Sequence, residues 1–154
     1  MTATPQTGQT APEFRLRGPG GQFVSLSEYR GKKNVVVVFF PLAFSPVCSH
    51  QLPEVEKVVP RLEALDAVVL GVSVDSYYAN EAFARSLGLS FPLLSDFDRS
   101  ASQAWGILIP ERNYSGRALF LVDKQGRLAY VDVAPTPSKI PSNEALIAAL
   151  ERLG

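Results

Sequence analysis

Cys48 is the only cysteine in the chain, and the residues leading to it prepare a sulfur nucleophile. Ser45 is a good helix N-cap, and Pro46 at the first helical position gives up no intrahelical hydrogen bond while holding φ ready for the helix. Cys48 then falls in the first helical turn. Unpaired backbone N–H groups and the positive end of the helix dipole favour a thiolate over a thiol there. A lone cysteine elsewhere is usually a small buried hydrophobe; the helix-start position is what marks this one for nucleophilic chemistry. His50 is a poor partner base, because residues two apart on a helix do not face each other.

The elements that must position this thiol follow from hydrophobic pattern. Residues 35–40 run Val-Val-Val-Val-Phe-Phe without polar alternation, so both faces of that strand are expected to be buried, at the centre of a sheet. Before it, residues 12–25 suggest a β-hairpin around a glycine-rich turn, and residues 27–31 one turn of helix. After it, apolar spacing predicts a helix over residues 46–65, kinked or in two pieces because Pro53 and Pro60 each remove an N–H. A strand over 67–74, a helix over 76–87 ending at Gly88, and a short apolar run at 91–94 continue the parallel crossover pattern. Asp96 or Asp98 can cap a helix reaching Trp105. Residues 118–122 and 128–133 form a second hairpin around Gly126, and after Pro135, Pro137 and Pro141 an amphipathic helix over 143–153 closes the chain. This is the order of a thioredoxin-like α/β fold, with a central mixed β-sheet flanked by helices on both faces and an N-terminal β-hairpin.

Composition narrows the function classes. The 154 residues fit one domain, residues 11–154, behind a loose polar tail at 1–10. Fifteen basic and fifteen acidic residues balance, leaving no long-range field to attract nucleic acid or an anionic membrane. No apolar stretch approaches the roughly 18 residues of a membrane span, and no signal peptide is expected at the start. One cysteine excludes an intrachain disulfide, a Cys-x-x-Cys pair and a multi-cysteine zinc site, and fits a reducing cytoplasm.

The stretch Pro41-Leu42-Ala43-Phe44-Ser45-Pro46-Val47-Cys48 resembles the peroxiredoxin active-site motif, Pro-x-x-x-Thr/Ser-x-x-Cys. The resemblance extends along nearly the whole chain, through Ala11-Pro12-Glu13-Phe14, Phe91-Pro92-Leu93-Leu94-Ser95-Asp96 and Arg117-Ala118-Leu119-Phe120-Leu121-Val122-Asp123. Residues 40–44 and 94–106 look most like the alkyl hydroperoxide reductase E-like subgroup, with the bacterioferritin-comigratory subgroup as near neighbour. The resemblance implies a thiol-dependent peroxidase, without metal or cofactor, that reduces hydrogen peroxide and organic hydroperoxides through a Cys48 sulfenic acid. It assigns Ser45 to a hydrogen bond with the peroxide, Arg117 to thiolate and peroxide, and Pro41 to shielding the sulfur. Gln51, Phe44 and Trp105 enter as supporting or pocket residues, Trp105 as core or pocket wall. A homodimer or higher homo-oligomer is also implied.

Two departures from the pattern matter. Gln51 stands where many relatives have Glu, so it can hydrogen-bond an arginine but adds no charge. Pro53 stands where many bacterioferritin-comigratory relatives carry a resolving cysteine, so recovery needs an external thiol: thioredoxin, glutaredoxin or a low-molecular-weight thiol. Arg112 as a second site cation competes with a solvated loop reading beside Glu111. Two other functions stay open on the residues alone. A thiol-disulfide oxidoreductase lacks its second cysteine, and a redox sensor or holdase would use oxidised Cys48 to bind a partner.

Overall fold

In the computed structural model, residues 3–136 and 138–153 are described; Met1 and Thr2 of the expected tail and Pro137 of the proline-marked segment lie outside them. The chain forms β1 (Arg15–Arg17), β2 (Phe23–Ser25), β3 (Asn34–Phe39), α1 (Pro46–Ala64), β4 (Ala67–Ser73), α2 (Tyr77–Leu87), β5 (Leu93–Ser95), α3 (Ser100–Ala104), β6 (Leu108–Ile109), β7 (Tyr114–Ser115), β8 (Ala118–Val122), β9 (Leu128–Val133) and α4 (Asn143–Leu153). Seven strands make one mixed sheet in the order β2-β1-β5-β4-β3-β8-β9. β3 pairs parallel with β4 and antiparallel with β8, and β4 pairs parallel with β5. The two hairpins expected from turn residues are β1–β2 and β8–β9, and Gly126 takes the positive φ that the second turn requires. β6 and β7 form a small separate ribbon that the sequence pattern did not suggest.

The valine run works as a strand covered on both sides. Val36, Val38 and Phe40 enter one core with Cys48, Leu52, Val55 and Leu62 of α1, Phe83 of α2, and Leu146, Ile147 and Leu150 of α4. Val35, Val37 and Phe39 enter the other, with Phe14, Leu16, Leu26, Trp105 and Phe120. Side chains alternate across a strand, so consecutive residues serve opposite layers. Helices cover both faces: α1, α2 and α4 on the first, and on the second the short α3 with the amino-terminal segment.

α1 runs as one helix of 19 residues through Pro53 and Pro60, so of the two outcomes expected, kinked or in two pieces, the break into two does not occur. An interior proline costs about 3 kcal/mol. Burial of Leu52, Val55, Val59 and Leu62 along a single face offsets that cost. α2 stops at Gly88 as expected, with Gly88 in the left-handed conformation, and at its start Ser76 Oγ accepts the Ala79 N–H. Both acidic candidates act at the start of α3. Asp96 accepts from the Ala101 and Ser102 N–H groups and Asp98 from that of Ser100. Burial raises the Asp96 carboxyl above its ordinary range despite these bonds. On α4, Leu146, Ile147 and Leu150 are buried as expected, whereas Leu153 is 42% exposed. No helix among the described residues is long and apolar enough to cross a membrane.

The stretch expected as a loose tail makes contacts from Thr4 onward. Thr4 Oγ1 donates to the Gly106 carbonyl, the Gly8 N–H to Leu128, and Thr10 bridges Arg127. At the opposite end of β3 from Cys48, Asp66 holds Lys124 and Lys33 at 2.5 and 2.7 Å. Hydrogen bonds from Lys124, then Lys33, lower its carboxyl from 3.8 to about 2. A carboxyl depressed on folding stabilises the fold above its unfolded value and loses that contribution as pH falls through the folded one. Asp66→Asn, which tolerates the positive φ at this position, is therefore expected to be slightly less stable than wild type at neutral pH. The gap, measured by denaturant unfolding, should close on acidification toward about 2 and shrink with salt. A gap that grows on acidification would contradict this.

Candidate active site

The loop between β3 and α1 is a turn built from Leu42, Ala43, Phe44 and Ser45. The Leu42 carbonyl accepts both the Ser45 N–H, at 3.4 Å, and the Ser45 hydroxyl, at 2.9 Å. Phe44, third in the turn, has φ +67°, where glycine or asparagine is usual and another residue costs about 1–2 kcal/mol. Its ring is 57% exposed but rests on Phe83, with centroids 4.9 Å apart. Ser45 is the N-cap of α1 by backbone position, as expected, but its side chain makes no cap hydrogen bond. That hydroxyl is turned to Leu42 instead. Pro46 opens the helix and Cys48 lies in its first turn.

Cys48 has no exposed area. Arg117, on the segment entering β8, is also buried and directs Nη2 to Cys48 Sγ at 3.2 Å. Its Nη1 donates to Gln51 Oε1, one helical turn after the cysteine, and Gln51 is itself 1% exposed. The guanidinium fork thus spans sulfur and amide, side by side on the buried face of α1. The Arg117 backbone is held by the Ala134 N–H at 2.9 Å. The guanidinium thus places a positive charge and a hydrogen-bond donor directly against the sulfur. Pro41 is buried at the start of the loop, and the Phe40 carbonyl before it accepts from Ser115 Oγ at 3.4 Å.

Cys48, Gln51 and the distant Arg117 therefore come together, with the Leu42–Ser45 turn leading directly into their helix, whereas Trp105 does not join them. Its ring packs on Phe39 and Phe120, in the core on the other face of the sheet from Cys48. Its Nε1 has no acceptor among the described residues. Of the core and pocket-wall roles expected for Trp105, the structure gives the core one and corrects the pocket one; a strand's alternation put Phe39 and Phe40 on opposite sides. His50 is exposed on α1. Arg112 binds the Tyr114 hydroxyl at 3.1 Å in an exposed loop, the solvated reading.

One contributor escaped sequence reading. Asp75, just beyond β4, accepts the Ala43 N–H on Oδ2 at 2.8 Å, and Ser73 Oγ donates to the same oxygen at 2.8 Å. The available signal was topological: the carboxyl ends of adjacent parallel strands face one crevice.

A buried thiol beside an arginine is the geometry that the comparisons with known proteins bear on. The AhpC/TSA family profile matches residues 7–131. Alkyl hydroperoxide reductase E of Mycobacterium tuberculosis is 38% identical over 128 residues, covering 82% of this chain and 84% of that protein. The putative peroxiredoxin bcp of Coxiella burnetii is 33% identical over 132 residues, covering 82% and 87%. Among solved structures, the reduced 2-Cys peroxiredoxin of Plasmodium vivax superposes with a TM-score of 0.88 at 27% identity, over 97% of this chain and 82% of that one. Members of the family act on peroxides with thiol reductants and form oligomers. With one cysteine at the motif position and a thioredoxin-like sheet beneath it, the chain belongs to the AhpC/TSA family and is a peroxiredoxin, a thiol-dependent peroxidase of the one-cysteine type.

Proposed function

We propose that Cys48 is the peroxidatic sulfur, acting on hydrogen peroxide and organic hydroperoxides in the cytoplasm. The thiolate attacks the terminal oxygen of the peroxide along the O–O bond. An S–O bond forms, the O–O bond breaks, and the leaving oxygen departs as alkoxide or hydroxide that takes up a proton. Sulfur is oxidised by two electrons to a sulfenic acid. One external thiol then displaces water to give a mixed disulfide, and a second releases Cys48. Thioredoxin, glutaredoxin and a low-molecular-weight thiol are the reductants proposed, and the working form is a homodimer or higher homo-oligomer. A single cysteine recycled by reduced thiols suits a reducing compartment.

The observation that carries this reading is the 3.2 Å contact of Arg117 with the buried sulfur. Arg117 favours thiolate and then stabilises charge moving onto the leaving oxygen, while Gln51 orients its fork. Ser45, whose proton is given to Leu42, keeps lone pairs with which to accept from the peroxide O–H. Pro41 shields the sulfur. The test is a stoichiometric one: reduced protein mixed with one equivalent of peroxide should lose its thiol in step with peroxide, form one dimedone-trappable sulfenic acid, and regain the thiol only on adding an external thiol. Slow peroxide reaction with a trapped protein adduct would instead favour a redox sensor or holdase and reject this proposal.

A further inference from the structure

We propose that Asp75 is a positioning residue of the peroxidase site, latching the Leu42–Ser45 turn so that Ser45 stands ready for the peroxide. The inference rests on Cys48 being the peroxidatic sulfur and adds a residue that never touches the thiol.

The turn needs an anchor, because it stores strain at Phe44, with φ +67°, and because Phe44 itself is largely exposed. Strained backbone at a functional loop persists only where its surroundings over-determine it. Within the turn the hydrogen bonds of Leu42 with Ser45 close the loop on itself but do not fix it to the sheet. The Ala43 N–H to Asp75 Oδ2 bond, at 2.8 Å, does. Asp75 is in turn gripped from several sides. Ser73 Oγ donates to the same Oδ2, the Asp75 N–H donates to Ser73 Oγ at 3.3 Å, and Ser95 Oγ donates to the Asp75 carbonyl at 2.6 Å. Ser73 Oγ also lies 3.1 Å from Asn80 Oδ1, and Asn80 Nδ2 donates to the Leu94 carbonyl at 3.2 Å. The latch thus ties the catalytic turn to β4, β5 and α2. Hydrogen bonds to a carboxylate are stronger than neutral ones, which suits a charged acceptor for this single anchoring amide.

Arg117 reaches the sulfur from β8, on the other side of β3 from β4. Loss of the latch should therefore misplace Ser45 while leaving the thiolate intact. Asp75→Ala is expected to slow peroxide reaction by roughly ten- to a hundredfold, the usual consequence of a positioning error near an ångström. Iodoacetamide alkylation of Cys48, which needs thiolate and access but not Ser45, should be unchanged or faster. Asp75→Asn keeps an oxygen that can accept from both Ala43 and Ser73 and should recover most of the peroxide rate. In wild-type protein the Ala43 amide should exchange with solvent slowly, a measurement that stands even if the alanine variant does not fold. Peroxide and alkylation rates falling together, a peroxide rate unchanged in Asp75→Ala, or unprotected exchange at Ala43 would each overturn the proposal. If wild-type Cys48 itself forms no sulfenic acid with peroxide, the peroxidatic reading fails first, and that outcome is distinct from all three.

Discussion

Serine in place of Cys48 is expected to abolish rapid peroxide consumption. The chain has one cysteine, so no second sulfur can take over the two-electron step. A hydroxyl at the same place cannot replace it: it does not ionise near neutral pH and gives no stable counterpart of a sulfenic acid. The substitution should leave the fold in place. Cys48 is buried among Phe40, Leu52 and Phe83, the change in volume is small, and the serine oxygen can still accept from Arg117 Nη2, now facing oxygen rather than sulfur. Stopped-flow mixing with peroxide, alongside thermal unfolding, separates chemistry from stability. A folded Cys48→Ser protein consuming peroxide at the wild-type rate would remove Cys48 from the reaction.

Much of the frame was legible because it depends on local pattern. An unbroken run of β-branched valines reads as a strand covered on both sides, and Gly88 is a strong enough signal to mark the end of α2. Pro53 and Pro60 left a kink and a break both open, and the burial that α1 gains along its whole length, which no local penalty includes, keeps it a single helix. For Trp105 the choice between core and pocket wall depends on which face of the sheet it packs against, and the alternation of Phe39 and Phe40 decides that only once the strand is placed. Asp75 lies 32 residues from Ala43, and the parallel pairing of β3 with β4 brings them together. It sits just before the helix expected over residues 76–87, where nothing local told the carboxylate apart from a capping group. The same holds for the Ser45 hydroxyl, whose turn toward Leu42 is a property of the loop rather than of serine.

Arg117→Met is the second large effect, and it tests the electrostatics rather than the sulfur. Methionine keeps the length and apolar body of the side chain but removes the fork that joins Cys48 to Gln51. The backbone at this position is held by Ala134 and by the start of β8, so the strand should survive the change. Peroxide reaction should fall roughly 10²–10³-fold, because a preorganised donor aimed at charge developing on the leaving oxygen has gone. Arg117→Lys tests the geometry of the fork, since an ammonium restores charge but cannot span sulfur and amide in one plane. It should return the rate only in part. An unchanged rate in Arg117→Met, measured by stopped-flow on folded protein, would place the charge stabilisation elsewhere and leave the 3.2 Å contact as packing.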